Sequence, residues 1–134
     1  MLITRETDYA LRILYSLQNG ERKSVGTISD AELIPQQFAY KIMKKLSRAG
    51  FVEITRGAEG GCSLLADLEK TSLYDLMVVT ESCYGVNACM DPEYLCARRE
   101  NCGKCVIHSQ LATIQKNLDD ELRSHSLKKL LSGR

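Results

Sequence analysis

Residues 35–62 read PQQFAYKIMKKLSRAGFVEITRGAEGGC, and this stretch decides the fold. Pro35 suits the first turn of a helix, on which Phe38, Ile42, Leu46 and Ala49 recur on one face while the other face stays polar. Gly50 followed by apolar Phe51 is a helix stop. The period then changes. Apolar residues largely alternate in Phe51–Arg56 and again in Cys62–Ala66, on either side of Gly57-Ala58-Glu59-Gly60-Gly61, which predicts a hairpin with a glycine-rich tip. Upstream, Ala10, Leu11, Ile13, Leu14 and Leu17 predict a helix over Thr4–Leu17, with Thr4 as its cap and Glu6 and Asp8 near its positive end. Asn19-Gly20 breaks it, and Ser24 opens a second short helix carrying Val25, Ile28, Ala31 and Leu33. Three helices followed directly by a hairpin is the order of a winged helix-turn-helix, the third helix being the reader and the hairpin the wing.

Downstream of the wing, Ser72-Leu73-Tyr74-Asp75 has the form of a capping box and leads into a fourth helix through Leu76, Met77, Val78 and Val79. Residues 82–104 have no period and contain Gly85, Pro92 and Gly103, so they read as a loop. From Val106 onward Ile107, Leu111, Ile114, Leu118 and Leu122 form a narrow apolar seam on a long helix, of the kind that packs against a second copy of itself. Leu127, Leu130 and Leu131 add a short amphipathic end. The chain thus divides into a winged-helix region (1–66), a linking helix with a loop (67–105) and a dimerisation helix with its C-terminal end (106–134), all within one mainly α-helical compact unit.

The 134 residues suffice for one domain with a core, and 44% hydrophobic with 26% charged residues exclude disorder and collagen-like repeats. No apolar run approaches a membrane span, and the first residues lack the apolar core of a signal peptide, so the chain reads as cytoplasmic and without a membrane partner. Net charge of +1 excludes a uniformly basic coat, and the distribution must decide. Between Pro35 and Arg56 the basic residues Lys41, Lys44, Lys45, Arg48 and Arg56 oppose only Glu53. Lysines on an isolated helix face are most often merely solvated. After two helices and before a glycine wing the same face points to double-stranded DNA. Lys41, Lys44 and Arg56 are then candidates for phosphates, Gln36, Gln37 and Tyr40 for base edges, and Gly57 lets the wing backbone come close to the duplex. No Ser/His/Asp arrangement, phosphate-binding glycine loop or paired carboxylates emerges, so no catalysis is assigned.

Six cysteines are many for a chain of this size in a reducing compartment, and Cys83, Cys89, Cys96, Cys102 and Cys105 fall close together. Iron–sulfur clusters need several thiolates from one short span, which Cys89-x6-Cys96-x5-Cys102-x2-Cys105 supplies. A structural zinc site also takes four Cys or His ligands and a Cys-x2-Cys pair. A dithiol switch at Cys102-Gly103-Lys104-Cys105 is the remaining alternative, without the βαβ unit of a thioredoxin-like enzyme. Cys62 and Cys83 read as small packed apolar residues.

Thr7-Asp8-Tyr9-Ala10-Leu11-Arg12, Arg56-Gly57-x-x-Gly60-Gly61 and Cys105-x-x-His108 before a long helix together resemble the Rrf2 family of IscR-, NsrR- and CymR-type winged helix-turn-helix transcriptional regulators. The resemblance covers essentially the whole chain. It implies a homodimeric DNA-binding regulator acting on a pseudo-palindromic operator, with a [4Fe-4S] or [2Fe-2S] cluster in many members, sensing redox, nitric oxide or iron status. Family members with equal five-residue gaps would have their first two ligands at Glu93 and Arg99, where this chain has no cysteine. Members with wider spacing match Cys89, Cys96 and Cys105, with Cys102 as an alternate or additional ligand. The fourth ligand is His108 by comparison with IscR-type members, or by comparison with NsrR-type members an acid supplied by the partner subunit, whose counterpart here is Asp8.

Overall fold

A computed structural model describes residues 2–133, as seven α-helices, one short 3-10 turn and a two-stranded antiparallel sheet among those residues. Helix α1 (Arg5–Leu17) buries Ala10, Ile13, Leu14 and Leu17, the i, i+3, i+4, i+7 stripe of an amphipathic helix. Helix α2 (Val25–Glu32) starts where Ser24 Oγ accepts from the Thr27 amide at 3.1 Å. Helix α3 (Gln36–Arg48) lays Ala39, Ile42, Met43 and Leu46 against α1 and α2. It ends as the glycine predicts: Gly50 (φ 81°) donates to Ser47 O at 3.1 Å and Phe51 to Leu46 O at 2.9 Å, which satisfies two of the last carbonyls. Strands β1 (Val52–Thr55) and β2 (Gly61–Leu64) pair with Val52 opposite Leu64 and Ile54 opposite Cys62.

Several apolar assignments shift by a residue. Phe38 and Ala49 are exposed, and the stripe of α3 runs instead through Ala39 and Met43. Pro35 is the cap residue of α3 and not its first turn. Ala31 faces water, and Leu33 is 80% exposed because it ends α2 in the left-handed conformation (φ 55°), which throws its side chain outward and hands the core position to Ile34. Thr4 caps α1 by position, yet its side chain bonds no amide of that helix and donates to Glu81 Oε1 at 2.7 Å.

Helix α4 (Leu73–Thr80) begins with the predicted capping box, Ser72 and Asp75 exchanging side-chain bonds to each other's amides. The segment read as a loop holds a 3-10 turn (Ala88–Met90) and helix α5 (Ala97–Cys102). Helix α6 (Val106–Ser124) buries only Leu122, against Leu73 and Met77 of α4, while helix α7 (Leu127–Leu131) returns Leu127 and Leu131 to the core of α1 and α3. Among the described residues no helix is long and apolar enough to cross a membrane.

Candidate nucleic-acid interface and cysteine cavity

The outer face of α3 and the wing share a groove. Tyr40, Lys44 and Ser47 of α3 and Ile54 and Arg56 of the wing line a groove of about 470 Å³, together with Val25 and Met43. Gln36 and Gln37 are exposed at the start of the helix, and Tyr40 is half exposed. Lys44, Arg48 and Arg56 have no ion-pair partner among the described residues. Lys41 and Lys45 differ: their ammonium groups reach Glu6 of α1 at 3.0 and 2.7 Å. Burial pushes the Glu6 carboxyl up, but the bonds and charges of Lys45 and Lys41 outweigh it and hold the group below the usual carboxylate range.

The wing is held in place by a contact invisible to local patterning. Lys23, before α2, exchanges backbone bonds with Cys62 at 2.9 and 2.7 Å, which adds a bridging residue to what would otherwise be a marginal two-stranded ribbon. Gly61 permits this approach, since a Cβ there would sit 2.7 Å from Lys23 O. Gly57 turns the tip at φ 109°, a conformation that a side chain would strain. Arg22, which sequence reasoning passed over, reaches the tip and donates to Glu59 O at 3.3 Å.

At the other end of the chain Cys89, Cys96, Cys105 and His108 line one cavity of about 180 Å³, together with Arg98 and Arg99. Cys105 caps α6: the His108 amide donates to its Sγ at 3.5 Å, and this bond, with the nearby Arg98 guanidinium, outweighs burial and holds the thiol below its usual range. His108 Nδ1 is buried without a hydrogen-bond partner among the described residues. Three soft sulfur donors, one unsatisfied ring nitrogen and flanking cations suit an anionic thiolate-ligated metal centre. Among the described residues no three ligating side chains gather closely enough to hold a metal ion. Cys102 is exposed and does not line the cavity, and Asp8 pairs with Arg12 of its own helix at 2.8 Å. Cys62 is buried as read, and burial pushes its thiol up to about 11. Cys83 is not packed but exposed, because α4 ends at Thr80 and the chain there turns away from the core.

Three packed helices, an outward basic face on the third and a hairpin beside it define a winged helix-turn-helix protein of the transcription-regulator class. More narrowly, the chain belongs to the Rrf2 family, described as an iron-dependent transcriptional regulator, which it matches over residues 3–133. It is 36% identical over 106 residues to the protein aau3 of Rhizobium meliloti (strain 1021), covering 77% of this chain and 69% of that protein. It is 31% identical over 124 residues to the HTH-type transcriptional regulator NsrR of Bacillus subtilis (strain 168), covering 89% of this chain and 85% of that one. The solved structure of CymR (YrzC), the global cysteine regulator of B. subtilis, superposes with a TM-score of 0.71 over 98% of this chain and 97% of its own, and at 23% identity the likeness is one of fold.

Proposed function

We propose that this transcriptional regulator is a homodimer that binds a pseudo-palindromic DNA operator and senses redox, nitric oxide or iron status through an iron–sulfur cluster at the cysteine cavity. The observation that carries the cofactor is His108 Nδ1, buried and unpaired on the wall shared with Cys89, Cys96 and Cys105. Leaving such an atom unsatisfied costs about 1–3 kcal/mol, which ligation recovers. Cys89, Cys96, Cys105 and His108 would hold the group, Cys102 being an alternate and Asp8 a ligand offered to the partner subunit. When bound, the cluster supplies a centre open to oxidants and nitric oxide.

The DNA half rests on Lys44, Arg56 and Tyr40 sharing one groove, with Gln36 and Gln37 ahead of them for base edges and the Gly57 backbone at the wing tip. The homodimer rests on α6, where Ile107 and Ile114 are more than half exposed although the seam is apolar. On this reading residues 1–66 bind DNA, 67–105 hold the cluster and 106–134 join the copies.

Purification without oxygen, followed by iron, sulfide and zinc analysis, tests the cofactor. Iron and sulfide with visible absorbance are expected, abolished by Cys96→Ala and retained in Cys102→Ala. Stoichiometric zinc without iron overturns the cluster and leaves DNA binding standing. For the DNA half, Lys44→Ala with Arg56→Ala should flatten the dependence of log K on log salt by about two units per bound subunit, because each lost phosphate contact removes about 0.9.

A further inference from the structure

The reading helix presents fewer free cations than its sequence suggests. Lys41 Nζ lies 3.0 Å from Glu6 Oε1 and Lys45 Nζ 2.7 Å from Glu6 Oε2, so a single carboxylate on α1 bridges two lysines one turn apart on α3. Lys44, between them in sequence, lines the groove with Arg56 and has no acid partner among the described residues.

We propose that Glu6 is a positioning residue for DNA binding: it masks Lys41 and Lys45 and leaves Lys44 and Arg56 as the cations presented to phosphate. The proposal rests on the reading of α3 and the wing as the DNA surface. An isolated exposed ion pair contributes about 0–1 kcal/mol and phosphate strips it readily. Glu6 differs on three counts. Its side chain is only 23% exposed, it engages both lysines at once, and freeing both of them leaves an uncompensated carboxylate. Its turn of helix is itself fixed, because Thr4 N and Thr4 Oγ1 donate to Glu81 Oε1 at 3.0 and 2.7 Å and Thr7 Oγ1 donates to the same oxygen. The three charged groups therefore count as one net positive charge where the helix sequence alone counts two.

The test uses the full chain without metal and a mixed-sequence DNA duplex, and reads the slope of log K against log salt. Glu6→Gln is expected to steepen the slope by about one to two units per bound subunit, at about 0.9 per phosphate newly neutralised, and to tighten binding at low salt. Adding Lys41→Ala and Lys45→Ala to Glu6→Gln is expected to restore the wild-type slope. The mask is overturned if Glu6→Gln leaves the slope unchanged, or if the triple variant falls one to two units below wild type, since the lysines then contact phosphate already. Glu6→Ala serves as the second variant should Glu6→Gln fail to fold. The DNA-surface reading fails separately: Lys44→Ala with Arg56→Ala would then leave wild-type binding unchanged, whereas a flattened slope in that pair with no response to Glu6→Gln removes the mask alone.

Discussion

Residues 5–77 and residues 81–121 both carry helices, and they bury side chains in opposite measure. The first stretch supplies nearly all of the core, including Ile13, Leu14, Leu17, Ile42 and Leu46, each fully buried. From Glu81 to Glu121 no residue is buried, although α6 alone spans 19 residues. Most helical stability comes from packing of an apolar face, and an isolated helix of that length is marginal in water. Residues 5–77 therefore hold themselves together, whereas on the proposed reading the cysteine segment and the outer face of α6 would gain their support from a metal centre at one end and a second copy along the seam. The proposed sensing role would use that division, because the part that reports must be able to change while the part that reads DNA stays folded.

The sharpest way to break this contrast is to damage each region and compare stabilities. Leu14→Ala, at a fully buried site in the core that α3 also joins, should cost about 3 kcal/mol in urea unfolding of the metal-free chain. Cys96→Ala, on a wall open to solvent, should stay within about 0.5 kcal/mol. Equal losses would mean that the cysteine segment belongs to the cooperative core. Next in size is the seam. Leu111→Asp would place a carboxylate between copies of the proposed dimer and should weaken association on the order of 100-fold, about 2.7 kcal/mol, with sedimentation or light scattering showing a monomer at micromolar concentration. A soluble wild-type monomer at that concentration would contradict the comparison itself.

The smallest effect concerns the joint between the regions, Glu81. Burial pushes its carboxyl up, but hydrogen bonds from Thr7 and Thr4 outweigh it and hold the group below the usual carboxylate range. A folded pKa lying below the unfolded one, about 4.3, adds stability that is complete above that value and is lost as pH falls through the folded one. Acid should therefore release Thr4 and fray α1 in that window. Glu81→Gln should cost roughly 1 kcal/mol at neutral pH and flatten this part of the stability profile, read by circular dichroism during acid titration.

Much of the head was legible because its signals are local. The Ser72–Asp75 box, the Gly50 stop, the change of period after Phe51 and the stripe Ala10, Ile13, Leu14, Leu17 are set by neighbours within a few residues. The stripe of α3 was misplaced toward Phe38 because spacing permits two adjacent rows, and the larger side chain drew the reading away from Ala39. Leu33 was misjudged because a backbone in the left-handed region redirects a side chain with no change in hydropathy. Helix α5 left no pattern since Arg98, Arg99, Glu100 and Asn101 bury nothing. The Glu6 contacts with Lys41 and Lys45 join residues far apart in sequence, and the isolation of His108 Nδ1 depends on the segment folded over it. Neither leaves a mark in spacing.

Cys62, fully buried beside the Lys23 bridge and with its thiol pushed up to about 11, has a further consequence for anyone who handles the protein. Alkylating reagents attack thiolates they can reach, so Cys83, Cys89, Cys96, Cys102 and Cys105 should react from the folded metal-free chain and Cys62 should wait. The molecule thus carries an internal clock: the last sulfur to be labelled dates the opening of the wing and core, against a background set by the other five.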